Sequence, residues 1–153
     1  MHKISGILLA ASLFAGLAQA SGGGGGGGST VAEVPELVAA QGAIDKSDWD
    51  AAIGILTPYV AGHPRSADGL NLLGYASRKQ GKLDNAFRYY EQALTIDPKH
   101  RGAHEYIGEA YLMAGDLAHA EQHLAALDKL CWLPCEEYDD LKAAIADYRA
   151  KHP

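Results

Sequence analysis

Two cysteines and seven histidines are the residues of this chain best suited to chemistry. Cys131 and Cys135 stand in the stretch Cys-Trp-Leu-Pro-Cys. Two residues four apart at a helical turn lie roughly 6 Å apart at Cα, inside the range a disulfide accepts. An oxidised staple is therefore expected, contributing less than the typical ~2–4 kcal/mol because its loop is short. Reduced, the two thiolates would instead suit a soft metal. A thiol-redox site more often has the C-x-x-C spacing in a βαβ context, and c-type haem attachment needs C-x-x-C-H; neither pattern occurs. His119 and His123 are also four apart and share a helix face. They are weak candidates for Zn²⁺ or Cu²⁺, against the plainer reading of solvated surface histidines. The residues between them are Ala-Glu-Gln, so the zinc-peptidase pattern H-E-x-x-H is missing. His100 and His104 repeat the spacing, with His100 at a turn. No Ser-His-Asp set, catalytic carboxylate pair or nucleotide loop is present. No catalytic residue or cofactor is assigned, and the chain is not expected to be an enzyme.

The rest of the sequence is concerned with packing. The chain has 153 residues, 13 basic and 19 acidic, for a net charge of −6. That balance argues against a nucleic-acid partner, which calls for a basic surface. At 48% hydrophobic and 21% charged residues, most of the chain can fold. Residues 1–20 have the layout of a secretory signal peptide: Lys3, the apolar run Ile7 to Leu17, and Ala18-Gln19-Ala20 as cleavage signal. Export to the periplasm of a Gram-negative bacterium is expected, with no stable membrane anchor after cleavage. Residues 21–32, which include the glycine run Gly22 to Gly28, are expected to be a disordered linker.

Beyond the linker the chain repeats every 34 residues. Gly74, Gly81, Ala86, Tyr90 and Pro98 recur as Gly108, Gly115, Ala120, Leu124 and Trp132, and in the other direction as Ala40, Ser47, Ala52, Leu56 and Pro64. Three units follow: 33–66, the most degenerate, then 67–100 and 101–134. The small residues let paired helices approach, and Leu56, Tyr90 and Leu124 are expected to fill the space they leave. Gly81 and Gly115 fall where a left-handed residue ends the first helix of a unit. Residues 135–153 continue the register as a fourth first-helix, with Lys142 at the place of Gly74 and Gly108, and read as a polar capping helix.

Leu73-Gly74, Ala86, Tyr90 and Pro98, with Ile107-Gly108-x-x-Tyr111 and Ala120 one period later, resemble the tetratricopeptide repeat. The resemblance implies an all-α, right-handed superhelix of three helix-turn-helix repeats plus a C-terminal capping helix. It also implies a concave groove lined by one face of each first helix. By register that face carries Leu37, Gln41 and Ile44 in the first unit and Asn71, Tyr75, Arg78 and Lys79 in the second. In the third it carries Glu105, Glu109, Leu112 and Met113. Tyr75 and Arg78 are of the types enriched at binding hot spots. Alternatively, Arg78 or Lys79 pairs with Glu105 or Glu109 of the next unit. The expected function is an exported, non-enzymatic adapter that binds a protein or peptide partner in the groove. One alternative is a periplasmic metal-binding or thiol-redox accessory protein using Cys131 and Cys135. Another is a self-associating structural module, a homo-oligomer.

Overall fold

A computed structural model describes residues 34–152; the expected signal peptide and glycine linker lie outside the described residues. The described chain is seven helices: α1 Pro35–Asp45, α2 Trp49–Gly62, α3 Ala67–Lys79, α4 Leu83–Ile96, α5 Arg101–Met113, α6 Leu117–Leu130 and α7 Glu136–Lys151. They form three antiparallel pairs and a final unpaired helix. Each helix packs on the next. In addition α1 packs on α3, α3 on α5 and α5 on α7, so the first helices of the units lie side by side in one layer.

The starts and stops of the helices repeat with the sequence. Asp48, Ser66 and Asp116 cap α2, α3 and α6 by accepting the backbone N–H three residues on, each at 3.1 Å. His100 caps α5 through Nδ1, also at 3.1 Å. The first helix of each unit ends at a residue of positive φ: Ser47 at 56°, Gly81 at 76° and Gly115 at 81°. One residue later, Asp48, Lys82 and Asp116 donate back to the carbonyls of Ala43, Ser77 and Tyr111 at 2.8–2.9 Å. This six-residue closure satisfies a helix-end carbonyl and reverses the chain. Ser47 adopts it without being glycine, at a conformational cost that Gly81 and Gly115 avoid.

Small residues set the spacing within the pairs. Ala52, Ala86 and Ala120 are fully buried, and Leu56 and Tyr90 fill the core beside them. A β-carbon at Gly74 would stand 2.6 Å from the Tyr90 ring. The third unit differs from expectation. Leu124, in the register place of Tyr90, is only half-buried. The space over Gly108 is taken by Leu141 of α7, whose Cδ2 would lie 2.6 Å from a β-carbon there. α7, packed on α5, brings Leu141 over Gly108 and takes that place. Lys142 itself is exposed, and among the described residues no further helix covers that side of α7. Cys131 ends α6 and Cys135 begins α7, and the two are joined with their Cα atoms 5.9 Å apart.

These clearances predict opposite outcomes for superficially similar substitutions. Gly74→Ala should destabilise the fold by about 1–3 kcal/mol, because the buried Tyr90 ring has to shift. Gly42→Ala, where a β-carbon meets nothing within 4 Å, should stabilise by about 0.5–1 kcal/mol. Ser47→Gly should stabilise by up to about 1 kcal/mol by relieving the left-handed serine. Urea unfolding midpoints measure all three, and equal midpoints for the Gly74 and Gly42 variants would contradict the steric account.

Candidate functional site

The layer of first helices presents one continuous face, and the expected groove residues do not all lie open on it. Leu37, Ile44 and Leu112 are 2%, 8% and 8% exposed and belong to the core. The neighbouring helices cover them more deeply than a one-helix map implies, although the edge of Ile44 still reaches a surface pocket. Arg78 is also buried, at 6% exposure. Its Nη2 pairs with Glu109 of the next unit at 2.5 Å. Its guanidinium lies 5.3 Å from the Tyr75 ring centre and 5.7 Å from that of Tyr106. Arg78 therefore ties unit to unit and is not a free contact for a partner, which is the alternative that the sequence left open. Lys79 and Met113 are exposed, and Gln41, Tyr75 and Glu109 are half-buried. Lys79 Nζ sits 5.4 Å from the Tyr75 ring centre.

Two adjoining hollows open on this face. One, of about 300 Å³, is lined by Gln41, Ile44, Trp49, Tyr75, Lys79 and Tyr106 among others. Its aromatic wall is continuous, with Trp49 edge-on to Tyr75 at 6.1 Å and Tyr75 against Tyr106 at 4.8 Å. The other hollow, of about 210 Å³, is lined by Asn71, Gly102, Glu105, Glu136, Glu137 and Asp140, and shares Leu72 and Tyr106 with the first. Asn71 and Glu105 are 6% and 7% exposed, and Asn71 Oδ1 has no hydrogen-bond partner. Burial, reinforced by Glu109, Asp140 and Glu137 and only partly opposed by Arg78, pushes the Glu105 carboxyl up to about 8. It is a neutral acid at pH 7.

Trp49, Leu72, Tyr106 and Asp140 are absent from the sequence-derived groove. Leu72, Tyr106 and Asp140 occupy one register position, 34 residues apart. Carrying the period across the neighbouring helix position would have found them.

His119 and His123, the weak metal candidates, do not converge on one site. His119 Nδ1 bonds Asp116 at 2.6 Å, beside the helix cap. His123 Nδ1 turns instead to His104 Nδ1 at 2.9 Å, and His104 Nε2 bonds the Pro98 carbonyl at 3.1 Å. Both His119 and His123 stack on Tyr111. Burial, then the neighbouring His104 and His119, push His123 down to about 4. Among the described residues no three His, Cys, Asp or Glu side chains are grouped to hold a metal, and the described chain has no free cysteine.

Two family models, each for the tetratricopeptide repeat, match residues 37–101 and 77–145. The chain is a tetratricopeptide-repeat protein. The repeat fold also relates it to a solved structure, the type III secretion translocator chaperone SycD of Yersinia enterocolitica in an alternative dimer. The two superpose with a TM-score of 0.64 at 19% sequence identity, over 73% of this chain and 87% of that one. At that identity the likeness is one of fold. Comparison with curated proteins found no match.

The buried acid makes this tetratricopeptide face sensitive to pH. The unfolded carboxyl titrates near 4.5, the folded one near 8. Between these values the unfolded chain gives up a proton that the folded chain keeps. The stability that Glu105 contributes is therefore complete below pH 4.5 and is lost as pH rises through about 8. Glu105→Gln, neutral throughout, should flatten this fall and be more stable than wild type by about 1 kcal/mol or more near pH 8. Urea unfolding at several pH values between about 5 and 9 checks it, and parallel curves would contradict it.

Proposed function

We propose that this protein is an exported, non-enzymatic adapter that binds an extended peptide segment of a protein partner on the face formed by α1, α3, α5 and α7. The observation that carries the reading is the pair of adjoining hollows on that face. Side chains from α1, α2, α3, α5 and α7 line them, and they combine an aromatic wall with a polar floor. Extended peptides dock into such surfaces through pockets that accept successive side chains. Trp49, Tyr75 and Tyr106 supply rigid contact area, with little rotamer entropy to lose. The family and the fold shared with a secretion chaperone favour protein recognition over chemistry.

Export rests on the layout of residues 1–20. Intact mass and N-terminal analysis of the protein recovered from a Gram-negative periplasm should find Ser21 first. Retention of Met1 would overturn the cleavage reading. In that oxidising compartment the Cys131–Cys135 staple is expected to be closed. Closure leaves the metal or thiol-redox alternative without its thiolates.

In-cell crosslinking tests the adapter reading. Wild-type protein should capture a specific partner. Lys79→Glu, at an exposed position, and Tyr75→Ala, checked for an unchanged fold by circular dichroism, should each lower its recovery about tenfold. A partner retained in full by both variants would move the site elsewhere. If wild type captures nothing, the adapter reading falls.

A further inference from the structure

The second hollow has a chemistry that peptide binding in general does not require. Glu136 and Glu137 lie in the first turn of α7, where the helix dipole alone accounts for acids. No such reason applies to Asn71 or Glu105. They come from α3 and α5, are more than nine-tenths buried, and line the hollow that the α7 carboxylates close. Asn71 Oδ1 is buried without a donor, which costs stability. The charged groups facing Glu105 are Glu109 and Arg78, already paired with each other, and Glu137 and Asp140 of α7. Glu137 also meets Arg101 at 3.6 Å. Acceptors and negative charge dominate this hollow, and its open side runs into the aromatic one through Leu72 and Tyr106.

We infer that the acidic hollow between α3, α5 and α7 receives the ammonium group of a lysine side chain, carried by an extended peptide whose neighbouring apolar side chain lies against Tyr75 and Tyr106. This inference rests on the proposed peptide-binding role of the same face. The ammonium has three N–H donors for the surrounding carboxylates, on a flexible stem that can reach into a narrow pocket. A cation beside Glu105 favours its ionised form, so docking expels the proton that the empty hollow holds. Affinity for the lysine peptide accordingly rises as pH is raised from about 6 to about 8.

The test is an NMR titration of the ¹⁵N-labelled protein with the end-capped peptide Ala-Leu-Lys-Ala. Parallel arms use the same peptide with norleucine in place of lysine, n-butylamine alone, and calcium chloride alone. The expected result is saturable shifts in the amides around Gly102 to Glu109 and Glu136 to Asp140. Binding should weaken at least about tenfold with norleucine, and again with the variant Glu136→Gln/Asp140→Asn. Both substituted residues are exposed, so the fold should persist, which an unchanged melting curve verifies. Several results would overturn the inference: no saturable shift with the lysine peptide, equal affinity for norleucine, or n-butylamine or calcium matching the peptide. An affinity that falls with rising pH would do the same. The adapter reading stands or falls separately. If a crosslinked partner is lost with Tyr75→Ala but kept with Glu136→Gln/Asp140→Asn, the groove remains and the lysine pocket is refuted.

Discussion

Tyr90 covers Gly74 so closely that a β-carbon at that position would stand 2.6 Å from the ring. That clearance sets the distance between α3 and α4, and the rest of the stack follows from it. With the pair closed, Ala86 and Ala93 are sealed, and Ile107 of the next unit packs on Tyr90 and Ala86. Successive units thus meet through side chains near the pair's contact. A face of first helices follows, and with it the two hollows. A helical repeat cannot bury its apolar face alone, so the quality of this contact decides whether the array behaves as one body.

Across that face a second, electrostatic constraint operates. Arg78 is held by Glu109 and by the rings of Tyr75 and Tyr106. A buried cation is tolerated when it is paired and its stem is packed, but removing one partner leaves a costly charge. Arg78, already engaged by Glu109, only partly opposes the effect of burial on Glu105. The neutral acid and the salt bridge are two outcomes of one allocation of charge. A cation docked beside Glu105 would meet one more negative charge there than the empty hollow carries.

The period was readable because its causes are local and steric. Turns at Ser47, Gly81 and Gly115 and the buried Ala52, Ala86 and Ala120 follow from positions 34 residues apart, even where serine replaces glycine. The groove was harder to read. Whether Leu37, Ile44 and Leu112 face a partner or a neighbouring helix depends on how far that helix extends over them, which no single-helix pattern contains. Arg78 was legible as a residue and ambiguous as a role, because a cation facing an acid one period away serves equally as a contact or as a strut. The acidic hollow was missed for a different reason. It is assembled from α3, α5 and α7 together, and the sequence pattern marks α7 only as an end.

Leu141 gives that end helix a further meaning. The second unit closes over Gly74 with its own tyrosine, whereas the third closes over Gly108 with a side chain borrowed from α7. A chain made from its N-terminus can therefore complete the second unit from within. The third stays open until residue 141 has been added. The order of synthesis leaves the last full repeat as the last to become solid, and the hollow that needs Asp140 appears only in the finished molecule.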